Sequence, residues 1–402
     1  MAISCKVANL LSASVCMSCI PEGMLPAVHT SLICQWAAKP VGAPNAPSNL
    51  NITDASVLGA TVLTWTNNGG ATTNEVYRST DNITYGLVQT VAGGVSTWTD
   101  PLNVMANNTQ YFWKVRAVNA VAPSGYSNVR SVMNILSLAS SGLTGINYPF
   151  LTLVYSNFDA NDNLTLTNVQ MPVLRKIGGE LRLHGCHITT LDLSSLQHVA
   201  SYCFFYSNPI VNITLPALLD VGPSFSVDSC LNLTTLSLPL MTQTGDLSMN
   251  GCSSLTTLNV PSLVNLLGIL TISGTALSGD VYIPNLLVCY GITATGVGGM
   301  TSFSTNGPVS DFRYGMDFSG NAGFAQLNVP TFTVQDLAET FTFSGCGMTQ
   351  SSVDNIFCSI QATAPASGLT IDCSGGTNSA PSGAGASCRD ALNANGNFAT
   401  SN

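Results

Sequence analysis

The chain has 402 residues, of which 8% are Asp, Glu, Lys or Arg, against roughly a quarter in an average soluble domain. Its 11 Lys and Arg against 20 Asp and Glu give a net charge of −9, with no cluster of basic side chains to meet a phosphate backbone, so nucleic-acid binding is not expected. Hydrophobic residues reach 45%, yet no run approaches the ~20 apolar residues of a membrane-spanning helix. Ser, Thr, Asn and Gly replace the missing charge, a mixture that suits strands and turns. The apolar stretch from Val7 to Val15 is broken by Asn9, Ser12 and Ser14, a poor core for a cleaved signal. An exposed protein without an export signal fits a virus particle, which assembles in the cytoplasm and leaves by lysis.

Residues 1–42 hold Cys5, Cys16, Cys19 and Cys34. Cys16 and Cys19 have the C-x-x-C spacing of zinc and redox motifs, but the outer spacings fit no zinc-finger pattern and no βαβ context supports a redox role. Free thiols in a small helical unit are the expectation. Two disulfides, or zinc held by these cysteines or His29, are the alternatives. From Pro21 to Ala38 the apolar residues Met24, Leu25, Val28, Leu32, Ile33 and Trp36 follow helical spacing. Such a stripe on so short a helix needs a partner surface, either the next domain or a larger assembly. The segment resembles short modules that precede repeat domains in phage and phage-like proteins.

Residues 43–133 read as a sandwich. Val62-Leu63-Thr64-Trp65-Thr66 alternates, Glu75–Ser79 follows, and a turn falls at Asp81-Asn82. Tyr111 to Asn119 places Tyr111, Trp113, Val115 and Ala117 on one face, with Trp65 and Trp113 predicted for the core. About seven strands in ninety residues indicate two packed sheets. The order Pro47…Leu50, an early-strand Trp, Tyr-x-Trp-x-Val-x-Ala and Gly125-Tyr-Ser-Asn128 resembles the fibronectin type III family. That resemblance implies a spacer or adhesion module without chemistry. No Arg-Gly-Asp loop is present, so integrin binding does not carry over.

Residues 134–345 repeat. Leu-x-Leu-Pro or a variant recurs at Met171-Pro172, Leu193-Ser194, Leu215-Pro216, Leu238-Pro239, Val260-Pro261, Ile283-Pro284 and Val329-Pro330, in steps of about 22 or 23 residues, with Pro149 one step earlier and Pro308 as a degenerate middle rung. Cys186, Asn208, Cys230, Cys252 and Thr275 form a second series at the same step. Each unit holds two short strands, such as Leu236–Leu238 and Leu247–Met249, whose apolar faces are buried only by stacking. Some eight or nine turns are predicted. Side chains in a ladder run parallel, so Cys230 and Cys252 are expected as buried thiols. His184, Cys186 and His187 share one turn but point to different sides, and are expected as ordinary turn residues. The pattern resembles the leucine-rich repeat and receptor L-domain superfamily, whose small polar turn residue ties down buried backbone.

Residues 346–402 change pattern and resemble the helix-containing tails that close leucine-rich repeats in phage proteins. Ser351 is predicted to cap a helix with Val353, Ile356, Phe357 and Ile360 on one face, and Ser387 to Asn395 forms a last helix. Cys358, Cys373 and Cys388 either pair or stay as buried thiols.

The fold class expected is therefore mainly β: a small helical N-terminal module, a sandwich, a solenoid and a helical C-terminal cap. No catalytic, cofactor-binding or metal residue is nominated. The expected function is a non-enzymatic structural or adhesion protein on a phage virion, as head decoration, fibre or tail-associated protein. Residues 1–42 would join other virion proteins in an oligomeric assembly, and the solenoid would meet a host-surface glycan or protein. The first alternative is a secreted or cell-surface adhesin of a bacterium or eukaryote, for which sugars on the sequons at Asn51, Asn82, Asn107, Asn163, Asn212 or Asn232 would speak. The second is a β-helical polysaccharide-degrading enzyme, which needs paired carboxylates. Asp192, Asp220, Asp228, Asp246 and Asp280 fall at different repeat phases and offer no evident pair.

Overall fold

The computed structural model describes residues 42–54, 61–101, 105–334, 340–363 and 367–402. The expectations for Cys5, Cys16, Cys19, Cys34, His29 and the helix from Pro21 lie outside them.

Two antiparallel sheets form the sandwich. One is β1 (Ser48–Asp54), β2 (Thr61–Thr66) and β5 (Thr97–Asp100). The other joins β3 (Thr73–Ser79), β4 (Gly86–Ala92), β6 (Tyr111–Val118), β7 (Pro123–Tyr126) and β8 (Arg130–Met133). Leu50, Leu63, Trp65, Val76, Trp113 and Val115 fill the space between them, as the alternation predicted. Trp113 Nε1 donates to Asp100 Oδ2 at 2.9 Å, and Arg78 donates to both oxygens of that carboxylate at 3.0 Å. Asp100 is 1% exposed, and a buried charge is tolerable only when paired and hydrogen-bonded in this way.

Strand β8 belongs to two structures. Tyr111 to Trp113 pair with it antiparallel from inside the sandwich, while Leu151 to Val154 pair with it in parallel from the first full turn of the solenoid. Thr61 Oγ1 and Tyr155 OH share a hydrogen bond of 2.9 Å, and Arg175 donates to Asn51 Oδ1 at 2.8 Å. The sandwich thus closes the first rung, whose edge would otherwise stand open.

From there parallel strands stack rung on rung. Each middle turn has three short strands where the sequence suggested two: Thr235–Ser237, Gln243–Thr244 and Asp246–Ser248 form one such set. The additional two-residue strand continues the column His198–Val199 and Asp220–Val221. Between the first and second strands the chain turns at the repeated proline. Leu174 N donates to Met171 O, Met241 N to Leu238 O and Leu263 N to Val260 O, at 3.1–3.2 Å. Pro172, Pro239 and Pro261 therefore occupy the second position of a tight turn, which their fixed φ suits. Pro308 does not. Ser304 pairs with both Tyr282 and Asn328, so Thr305-Asn306 takes the place of Ile283-Pro284 and Pro308 lies two residues further on.

A column of glycines lets the turns close up. A Cβ on Gly178 would lie 2.1 Å from Tyr155 O, and one on Gly245 would lie 2.1 Å from Pro223 O. Any side chain there would push adjacent rungs apart.

The polar series faces inward and caps backbone carbonyls. Asn208 Nδ2 donates to Leu183 O and Phe205 O at 2.8 and 2.7 Å. Cys186, Cys230 and Cys252 each direct their thiol at a carbonyl of the previous turn, at 3.1–3.3 Å. Thr275 Oγ1 instead donates to a carbonyl of its own turn, Ile272 O, at 2.8 Å. The series extends beyond the residues recognised in the sequence, to Asn163, Asn321, Cys346 and Asn378. Cys230 and Cys252 are free and buried, and burial pushes their thiols up to about 11 and about 12. The thiolate is the reactive form, so peptides containing these two cysteines are expected to stay unlabelled by iodoacetamide at pH 8 until denaturant opens the solenoid. Labelling in the folded state, read by mass spectrometry, would contradict the inward ladder.

At the far end the strands Thr370–Cys373 and Phe398–Ser401 add two more rungs, and two helices cover them. Helix α1 (Gln350–Thr363) buries Val353, Ile356, Phe357 and Ile360. Thr349 caps it, its hydroxyl accepting from Ser352 N at 3.4 Å, and Ser351 lies in the first turn instead. Helix α2 (Gly383–Ala394) starts four residues before Ser387, because Ser382 accepts from Gly385 N. A Cβ at Gly385 would meet Asp354 Oδ1 at 1.9 Å, so the glycine sets how closely the helices approach. Cys358 and Cys388 form a disulfide between them, while Cys373 stays free and buried.

Candidate binding surface

On the third strand of each turn, inward and outward residues alternate. The register aligns one outward column: Arg182, Phe204, Ser226, Ser248, Thr271, Thr293 and Asp317. Within the segment Tyr202-Cys-Phe-Phe-Tyr206, Cys203 and Phe205 turn into the core. Tyr202, Phe204 and Tyr206 face out, where the next two turns carry Ser, Asp and Asn and the preceding turn Glu180, Arg182 and His184. Tyr202 stacks on Phe204 at 5.2 Å, Phe204 meets Tyr206 edge-on at 5.6 Å, and the His184 ring stacks on Tyr206 at 4.2 Å.

Beside this aromatic cluster the column drops to serines, and a groove of about 420 Å³ opens. Phe204 and Tyr206 form one wall and Ile269 and Thr271 the other, with Ser224, Ser226 and Ser248 between them. The walls are three rungs apart, roughly 14 Å. Asp228 and Asp246 also line it. Asp228 Oδ1 accepts from Ser248 Oγ at 2.5 Å and from Asn250 N at 2.7 Å, and Asp246 Oδ1 accepts from Ile269 N at 2.8 Å. The second oxygen of each carboxylate receives no protein hydrogen bond among the described residues. No Lys or Arg lines the groove.

The structure thus brings together two of the five acids singled out in the sequence. Asp228 aligns with Asn250, and Asp246 with Ser224, so the two sit four residues apart along the strands. That is ~13 Å of backbone between them, and each carboxylate is held by a different set of donors. Asp220 binds His198 Nδ1 at 2.7 Å on another wall, and Asp280 accepts from Ser302 and Ser304 on a third. His184, Cys186 and His187 part as expected: into the aromatic cluster, into the core and into solvent. Of the sequons, Asn163 is buried, its amide committed to Leu138 O and Ala160 O.

The sandwich carries a second aromatic group. Lys114 Nζ lies 3.7 Å from the Tyr85 ring centre and 4.0 Å from that of Tyr126. Arg116 and Tyr77 both bond Glu75 at 2.7 Å. Burial, reinforced by the Glu75 hydrogen bond, pushes the Tyr77 hydroxyl up to about 12. Arg116 pairs with Glu75, and Lys114 lies over the Tyr85 and Tyr126 rings.

The stacked repeats have a recognised counterpart. Residues 157–287 match the model of the BspA type leucine rich repeat region, in six copies. The parallel stack continues in register beyond residue 287, through Ser304 and Asn328. A leucine-rich repeat solenoid supports a protein-binding or adhesin role, and no catalytic family is matched. Among solved structures, the chain is similar to a Fn3-like protein from Clostridium thermocellum, at 28% identity over 22% of this chain and 91% of that one, with a TM-score of 0.20. It is also similar to a variant of FN3tt, at 24% identity over 22% and 94%, with a TM-score of 0.20. No curated protein matches the chain significantly.

The three outward aromatics were not singled out from the sequence. The signal was present: aligned on the cysteine and asparagine series, Tyr202, Phe204 and Tyr206 replace the Ser, Ser and Asp of the next repeat.

Proposed function

We propose that this is a non-enzymatic adhesion and display protein whose solenoid presents the binding faces. The observation that carries the reading is the uninterrupted parallel stack from β8 to Phe398–Ser401, closed at one end by the sandwich and at the other by the disulfide-joined helices. Such a stack is a rigid scaffold with extended faces, and its stability comes from neighbouring turns. Beyond the aromatic cluster the outward column runs Ser226, Ser248, Thr271 and Thr293, short hydroxyls that suit many weak contacts to a surface. The half-exposed Cys358–Cys388 bond fits service in an oxidising exterior.

We further place the protein on a phage virion, held by residues 1–42 in a larger assembly. The support is the domain order and the apolar stripe between Met24 and Trp36, which calls for a partner surface. Mass spectrometry of purified phage particles tests this placement. The protein is expected at a copy number comparable to the head or tail proteins. Recovery only from cell envelopes or free culture medium would overturn the virion and favour a secreted or cell-surface adhesin.

A further inference from the structure

We infer that the groove between Phe204 and Ile269 is a subsite for a neutral oligosaccharide; this rests on the adhesion reading and names the ligand class and the place. Phe204 and Tyr206 offer aromatic faces, and the rings behind them, His184 and Tyr202, hold them through stacking at 4.2 and 5.2 Å. Sugars have apolar C–H faces that pack on such rings and hydroxyls that need partners at their edges. The groove supplies those partners: Ser224, Ser226, Ser248 and the unbonded oxygens of Asp228 and Asp246. Its volume of about 420 Å³ falls in the ~300–1,000 Å³ range of small-ligand clefts.

Other ligand classes fit less well. Two carboxylates with no facing Lys or Arg repel an acidic sugar, a phosphate or an acidic peptide. An extended peptide would need a free strand edge to pair with, but every strand here is paired on both sides, Ser224–Ser226 with Cys203–Phe204 and with Asp246–Ser248. An amphipathic helix seeks an apolar floor, and this floor is serine. The second aromatic group, at Tyr77 and Lys114, lacks such a vacancy because its cations already lie on its rings.

The test is isothermal titration of the full chain with four uncharged probes: cellohexaose, laminarihexaose, mannohexaose and xylohexaose. At least one is expected to bind, and Phe204→Ala with Tyr206→Ala to weaken it at least ~10-fold. Ser226→Tyr, which fills the groove from its floor, is expected to do the same while circular dichroism stays unchanged. Tyr77→Ala on the sandwich is expected to leave binding as it is. No binding of any probe overturns the proposal, as does affinity that survives both the double variant and Ser226→Tyr. Attachment to intact cells is measured alongside with the same variants. Attachment that persists in both variants sinks the groove and leaves the adhesion reading standing, whereas absence of attachment by the unaltered protein sinks the adhesion reading itself.

Discussion

Replacing Asn208 by alanine is expected to cost the solenoid about 3 kcal/mol. Asn208 is 3% exposed and serves three backbone groups: it donates to Leu183 O and Phe205 O and accepts from Ile188 N at 3.1 Å. Truncation leaves Leu183 O and Ile188 N without a partner in a dry interior and Phe205 O with only the Cys230 thiol, at ~1–3 kcal/mol for each orphaned group if none is rescued. Water entering the vacated space recovers part of that. Asn208→Cys is expected to cost roughly half as much, because a thiol at the equivalent Cys186 and Cys230 positions keeps one carbonyl bond. Urea denaturation followed by circular dichroism gives both values. A loss below ~1 kcal/mol for the alanine variant, within the range of an ordinary surface change, would show that the polar series does not hold the turns together.

The second large effect concerns the cap. Changing Cys358 and Cys388 together to serine is expected to destabilise the C-terminal repeats by about 3–4 kcal/mol, the chain-entropy value for a closed loop of this size. The bond spans 30 residues and ties α1 to α2. Because each turn contacts only its neighbours, the damage should stay local. Hydrogen exchange is expected to rise over residues 340–402 and to remain unchanged over the sandwich and residues 151–260. Uniform acceleration along the chain, or none at all, would contradict this picture. Reduction of the unaltered protein is expected to reproduce the variant.

These two residue sets also show what the sequence made legible. The repeat could be read because Leu-x-Leu-Pro and the Cys/Asn series recur at one spacing, and each has a physical job: Pro at a tight turn, a short polar group under a carbonyl. The second strand of each turn left no such mark, since Gln243–Thr244 is only two residues long and alternation needs more. The double role of β8 was also hidden. Its partner Leu151–Val154 lies a full turn downstream, and nothing local in Arg130–Met133 distinguishes a last sandwich strand from a first rung. Ser351 lost the capping position to Thr349 because the helix begins at Gln350, three residues before Val353, the first residue of its apolar face. The pairing of Cys358 with Cys388 depended on how α1 and α2 cross, which spacing does not encode. The groove is a product of stacking: three aromatics on one turn and serines on the next make a wall and a floor only when brought together.

The central claim is that the solenoid binds a surface without altering it. Cell-envelope and capsule polysaccharide preparations, incubated with the purified full chain, test it in one experiment that follows both depletion of protein from solution and the appearance of reducing ends. Saturable depletion with no new reducing ends is the expected result. Reducing ends that accumulate with time would contradict the account, which reads Asp228 and Asp246 as hydrogen-bond partners of a bound ligand.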